Sequence, residues 1–207
     1  METEMNKTVS RTSDTRLDTV SRIVELEGIT PIMFDRYPGD NGTKLEWHQK
    51  VYLKGSTLVL PAANIVSFLS SHNTNSAPKR LRDVRKYKAI ANSCLSFTMT
   101  YAEDGSMDIP FIRNGVQVEM GVPKDDRDEV SGLWLHRSVA RLEKGIPNPK
   151  ERPVLPLPWG LRFKLDIFPN KEIKEQEIRN LFEEGGIAIG LGTYRGVFGK
   201  FRIVRWD

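Results

Sequence analysis

The chain has 207 residues, 39% of them hydrophobic and 28% charged, with four Trp and nine Phe, which is enough for one sizeable core, too short for two independent domains and too apolar for disorder. A formal charge of +4 and a pI of about 9.2 lean toward a polyanionic partner and leave the distribution of charge to decide. A single Cys94 with only His48, His72 and His136 beside it excludes an intrachain disulfide and a zinc-ligand spacing, and the absence of any long apolar run or leader-like stretch leads us to expect a soluble, cytoplasmic protein with no membrane contact.

Residues 1–20 are polar and rich in Ser and Thr, and are expected to form a flexible arm. From Arg22 the alternation of Val24 and Leu26 with charged neighbours predicts a long first strand. Turn formers crowd residues 35–42, among them Pro38, Gly39 and Gly42, and predict a loop. Val51–Leu53 and Thr57–Leu60 read as a hairpin about Lys54-Gly55-Ser56. Pro61 then suits a first helical turn, and a helix is predicted from Ala62 to Ser71 with Ile65, Val66, Phe68 and Leu69 on its apolar face.

Ser93–Tyr101 alternates cleanly and predicts a strand, and Met107–Phe111 with Val116–Met120 predicts a strand pair around Asn114-Gly115. The stretch Pro123–Pro158, with six prolines and dense charge, reads as an insertion or arm lying over the domain. Leu161–Ile167 alternates again. Asn170 is placed to cap a helix from Lys171 to Glu184, Gly185-Gly186 to stop it, and Ile187–Ile189 and Val197–Trp206 to finish in strands. Strand, helix, strand, repeated once, is the split βαβ plan. The predicted class is therefore α+β, a ferredoxin-like (RRM-like) domain with long insertions and a C-terminal glycine-rich loop.

That loop is the most informative motif. Six glycines fall in the 15 residues from Gly185 to Gly199, followed by Lys200-Phe201-Arg202. Glycines permit positive φ and close approach of a ligand, so backbone amides near Gly190 and Gly192 can line a phosphate path while Arg195 and Lys200 supply charge. The alternative is a helix stop followed by a tight connection, which accounts for Gly185 and Gly186 and hardly for the rest. Neither a Walker loop nor a dinucleotide-binding fingerprint fits, because the loop leads into a strand. A second basic feature spans Lys79, Arg80, Arg82, Arg85, Lys86, Tyr87 and Lys88, with six cations and one acid in ten residues. Its cations can neutralise phosphates and Tyr87 can stack a base, although charge runs also serve as plain solvated helix faces.

Three segments resemble the RAMP superfamily, the ferredoxin-like RNA-binding proteins of CRISPR effector complexes: Gly28-Ile-Thr-Pro-Ile, Leu60-Pro-Ala-Ala-Asn-Ile-Val-Ser-Phe-Leu, and Gly190-Leu-Gly-Thr-Tyr-Arg-Gly-Val-Phe-Gly-Lys-Phe. The resemblance implies one RAMP-like domain over residues 21–207, with insertions at about 35–60 and 103–158. Within the superfamily the chain is similar to the backbone subunits that polymerise along guide RNA, although its first helix ends in Ser70-Ser-His-Asn where those members commonly carry a basic residue beside the Pro-led start.

The implied function is a non-catalytic RNA-binding subunit of a CRISPR-like antiviral ribonucleoprotein that coats guide-like single-stranded RNA and associates with itself or with other subunits. A RAMP-fold protein that engages or inhibits such a complex is the second reading, and a metal-dependent endoribonuclease the third. The third would draw on Asp35 and Asp40, with Glu46 nearby, yet these sit among turn formers that favour Asp for conformational reasons. No metal or other cofactor is expected. His48 lies in the inserted hairpin region without a catalytic partner. Of the tryptophans, Trp206 is expected in the core, and Trp159 either pins the insertion to the domain or faces a partner.

Overall fold

The structure, a computed structural model, describes residues 19–39, 42–69, 76–77, 95–96, 107–141, 145, 147–168 and 174–207. The N-terminal arm, Asp40, the basic segment Lys79–Lys88 and most of the strand expected over Ser93–Tyr101 lie outside them. The fold is α+β and its sheets are antiparallel throughout.

The main sheet is built around β1 (Val20–Gly28), paired on one side with β11 (Phe201–Trp206) and on the other with β10 (Gly160–Ile167). Beyond β10 come β6 (Asp108–Arg113), β4 (Thr57–Pro61) and β3 (Leu53–Lys54), while β5 (Leu95–Ser96) also pairs with β10 and β7 (Val116–Gln117) with β6. Alternation sets the faces. Val24 and Leu26 on β1 and Leu161, Phe163, Leu165 and Ile167 on β10 are buried. They share the core with helices α1 (Ala62–Leu69) and α2 (Glu175–Ala188), where Phe182 meets Phe68 at 5.7 Å, Phe163 at 6.1 Å and Trp206 at 5.8 Å between ring centroids.

The opposite face of these strands carries ion pairs between neighbouring strands. Glu25 on β1 faces Arg162 at 2.9 Å and Arg205 at 3.4 Å, and Glu27 meets Arg202 at 2.6 Å. Such pairs fix register more than they stabilise. At the end of the sheet the Arg22 guanidinium donates to both oxygens of Glu175, at 2.5 and 2.8 Å, and the Trp206 indole donates to the same carboxylate at 2.8 Å, which ties the start of α2 to β1 and β11.

Two segments differ from the sequence expectation in a way that shapes the surface. The helix expected to stop at Gly185-Gly186 begins at Glu175 and runs through both glycines to Ala188, so Ile187–Ile189 is not a strand. The reason is packing. A Cβ on Gly185 would lie 2.6 Å from Phe68 Cζ, and one on Gly186 2.5 Å from the Phe201 oxygen. Small residues are needed where the helix touches the core, and the chain turns only at Gly190, with φ of +88°. The last strand is correspondingly shorter than expected and begins at Phe201. Pro61, expected to open α1, is the last residue of β4, with Ala62 starting the helix.

The second difference is the region Pro123–Pro158. Expected as an insertion or arm lying over the domain with no strands assigned to it, it forms a long hairpin, β8 (Trp134–Arg141) and β9 (Pro147–Leu155), which with β2 (Ile32–Met33) makes a second sheet. Its base belongs to the core, with Leu133, Leu135, Val154 and Leu155 buried. Trp159 is 1% exposed and donates its indole N–H to the Thr30 oxygen at 2.8 Å, so it pins this region to the end of β1.

The turn leading into β8 is organised by Asp128, fully buried, which accepts from the amides of Gly121, Val130 and Ser131 and from the Ser131 hydroxyl. Burial alone pushes this carboxyl's pKa up, and the hydrogen bonds from Ser131, Gly121 and Val130 more than offset it, holding the group below the ordinary carboxylate range. Asp128→Ala leaves those amides unpaired and is expected to destabilise by about 2–4 kcal/mol in denaturant melts. Because the folded pKa lies below the unfolded one, the ionised carboxylate contributes fully above the unfolded value and its contribution is lost as pH falls. The gap between parent and variant is therefore expected to be widest near about pH 7 and to shrink toward about pH 3.

Candidate nucleic-acid interface

After Gly190 turns the chain out of α2, residues 191–200 fold back over residues 29–33. The amides of Thr193 and Gly199 donate to the oxygens of Met33 and Pro31, at 2.9 and 2.7 Å, and the Lys200 amide donates to the Thr30 hydroxyl at 3.0 Å. The loop is closed on itself by Leu191 N–H to the Gly199 oxygen at 2.9 Å and Gly196 N–H to the Ile189 oxygen at 2.6 Å. The glycines make this compactness sterically possible: a Cβ on Gly192 would lie 2.5 Å from the Met33 oxygen.

Of the residues singled out in the sequence, Gly190, Gly192, Arg195 and Lys200 are thus gathered in one fixed loop. The Gly190 amide donates to the Gly185 oxygen at 3.0 Å, so here it serves the helix exit. Arg195 folds back to donate from Nε to the Gly192 oxygen at 3.1 Å, and burial lowers its pKa from the ordinary guanidinium value. Lys200 is half-buried. Asp35 forms an ion pair with Arg152 at 2.8 Å, and Glu46 caps a 3₁₀ turn (Trp47–Lys50), its amide donating to the Gln49 side chain at 2.9 Å. His48 lies edge-on to Trp47 at 5.7 Å. Lys79, Arg80, Arg82, Arg85, Lys86, Tyr87, Asp40 and His72 lie outside the described residues.

The structure adds a feature that sequence reading did not assemble. The segment after β2 and the β8–β9 hairpin enclose an open groove of about 760 Å³. Five cations line it, Arg36, Lys44, Lys50, Arg137 and Lys150, against the two acids Asp35 and Glu151, a balance of 5 − 2 = +3. Arg137 is held by Asp126 in a two-pronged contact at 2.5 and 2.8 Å, and Lys50 donates to the Glu151 oxygen at 2.6 Å. Among the described residues, Arg36, Lys44 and Lys150 make no ion pair.

A row of rings lies along the hairpin beside the groove, whose lining draws on both faces of the hairpin, Ser138 and Lys150 on one and Arg137, Val139 and Glu151 on the other. On β8, Trp134, His136 and Ser138 point to one side, opposite Val154, Arg152 and Lys150 of β9, and Ser138 and Lys150 line the groove. His136 lies 5.7 Å from Trp134 and 5.5 Å from Phe198 of the glycine loop, and Phe198 lies 6.1 Å from Tyr194. Loop and hairpin therefore form one surface, basic at one end and aromatic at the other. The open face of β1, β10 and β11 is of another kind, with paired charges and no ring among its described residues.

No family profile matches the chain, and no curated protein matches it in sequence. Among solved structures it is similar to a chain of the cryo-EM structure of the Type III-B Cmr-beta bound to cognate target RNA, with 12% identity and a TM-score of 0.50, over 92% of this chain and 61% of that one. The chain thus spans less than two thirds of the length of that relative. At this identity the likeness is one of fold alone.

Proposed function

We propose that this protein is an RNA-binding, non-catalytic subunit of a CRISPR-type ribonucleoprotein, holding single-stranded RNA through its phosphates and contacting other subunits of the assembly. The observation that carries this reading is the groove, lined by Arg36, Lys44 and Lys150, which make no ion pair among the described residues, on a hairpin that the glycine loop touches through Phe198 and His136. Two further observations support it. Strands β11, β1 and β10 lie side by side, β5 meets one end of β10 and β6 the other, and helices follow β4 and β10, an order compatible with a ferredoxin-like plan. The similar chain, moreover, comes from a complex described as bound to target RNA.

The charge pattern favours phosphate contacts without base reading, so binding is expected to be salt-dependent and tolerant of sequence. The full chain, mixed with a labelled single-stranded RNA, should bind with a slope of log affinity against log salt of about −2, since three phosphates at about 0.7 each are neutralised. RNA recovered intact after binding fits a non-catalytic subunit. Affinity that does not respond to salt, or no binding at all, overturns the proposal, and shortening of the RNA in the presence of magnesium replaces it with a ribonuclease.

A further inference from the structure

Tyr194 combines three properties that pull against one another. Its backbone is left-handed, with φ of +53°, a conformation that a bulky side chain adopts at a free-energy penalty. It stands in a segment where Gly190, Gly192, Gly196 and Gly199 take the other left-handed positions. The residue is 58% exposed and so is not held there by core packing. Glycine or asparagine would suit the backbone better, so neither loop geometry nor burial accounts for an aromatic ring at this place. What the ring does touch is Phe198, which in turn contacts His136 on β8. One step along that strand, about 7 Å away, Ser138 opens onto the cationic groove.

We infer that Tyr194, backed by Phe198 and His136, is a stacking platform for an unpaired base of a single-stranded polynucleotide whose phosphates follow Lys150, Arg36 and Lys44. This inference rests on the RNA-binding reading above and adds that the ligand is unpaired at the glycine loop, because a base inside a duplex has no free face to offer a protein ring. Every base carries such a face, so the contact adds affinity with little preference for sequence. The open face of β1, β10 and β11, the kind of face that holds rings in RRM-type recognition, carries none among its described residues, and rings are found on the loop and hairpin.

The test compares two single-stranded RNAs of equal length, one with normal bases and one with a run of abasic positions that keeps every phosphate. The parent protein is expected to bind the base-bearing RNA about tenfold more tightly, and Tyr194→Asn to bring that ratio toward one while its melting temperature stays equal or rises. Tyr194→Phe should keep the ratio, and Tyr194→Gly, which also suits the backbone, should behave as the Asn variant. If the parent prefers the base-bearing RNA and both Asn and Gly variants keep that preference, the platform is elsewhere and the inference is overturned. Equal binding of the two RNAs by the parent overturns the stacking role and leaves RNA binding intact. A parent that binds neither RNA overturns both.

Discussion

Gly199→Ala is expected to unfold the protein or lower its stability by more than about 3 kcal/mol, the range of severe backbone and overpacking substitutions. Gly199 has φ of +74°, and a Cβ there would lie 2.0 Å from the Leu191 oxygen, with the Leu191 carbonyl carbon at 2.9 Å and nitrogen at 3.0 Å. These atoms are backbone and cannot swing aside. Moving them also breaks the hydrogen bond from Leu191 to Gly199 that closes the loop and the one from Gly199 to Pro31 that seats it on the segment between β1 and β2. Gly192→Val should do comparable damage against the Met33 oxygen. Gly196 has a similar φ of +93° but open space around its Cβ position, so Gly196→Ala should show only the left-handed penalty of about 1–2 kcal/mol. Urea melts of the three variants check the ordering. Equal effects for Gly196 and Gly199 would mean that conformational preference alone, and not close packing of the loop, sets the need for glycine.

That ordering bears on what the sequence disclosed. The glycine cluster was legible as a special segment, but the purposes of its members were not. Gly185 and Gly186 look like a helix stop and are packing positions against Phe68 and Phe201, contacts to side chains 117 and 15 residues away in sequence, from 185 − 68 and 201 − 186. Local pattern carries no trace of such neighbours. Strands β1 and β10 and the hairpin at Asn114-Gly115, where both residues have positive φ, were legible because period two and turn chemistry are local properties.

The β8–β9 hairpin was hidden by its prolines. Pro147, Pro149 and Pro153 share parity, so the N–H groups they lack all belong to the same edge of β9, the one turned away from β8. The Pro153 oxygen, which points to that edge, accepts from the Phe34 amide at 3.0 Å, and β2 pairs with β9 only over Val154 and Leu155. The prolines therefore leave the ladder with β8 intact and keep the free edge from pairing further. The convergence of His136 with Phe198 and Tyr194 was hidden for a different reason, since those residues meet only because the loop folds over β2 while the hairpin rises beside it.

Replacing Arg36, Lys44 and Lys150 together by Ala is expected to lower affinity for single-stranded RNA by about 100-fold at about 0.1 M salt and to leave it nearly unchanged at about 1 M. The figure follows from counterion release: three phosphate contacts at about 0.7 each give a slope of about −2, hence about two decades of affinity over one decade of salt, and the variant should lose that slope. Stability should hardly move, because these three side chains make no ion pair among the described residues and Arg36 has a single ring contact, 6.0 Å from the Tyr52 centroid. Lys50 and Arg137 are unsuited to the same test, since Lys50 is bonded to the Glu151 oxygen across the groove and Arg137 to Asp126 outside it, and their removal would mix binding with folding. Arg202→Ala is the matched control: it removes one positive charge from the open face of the sheet, where the guanidinium is paired with Glu27, and should leave both slope and affinity near the parent values. If the triple variant keeps the parental slope, the groove does not hold the phosphates, and charge reversal at Arg80, Arg82, Arg85 and Lys86 becomes the decisive measurement. If Arg202→Ala matches the loss per charge, the groove has no special standing and binding follows net charge alone.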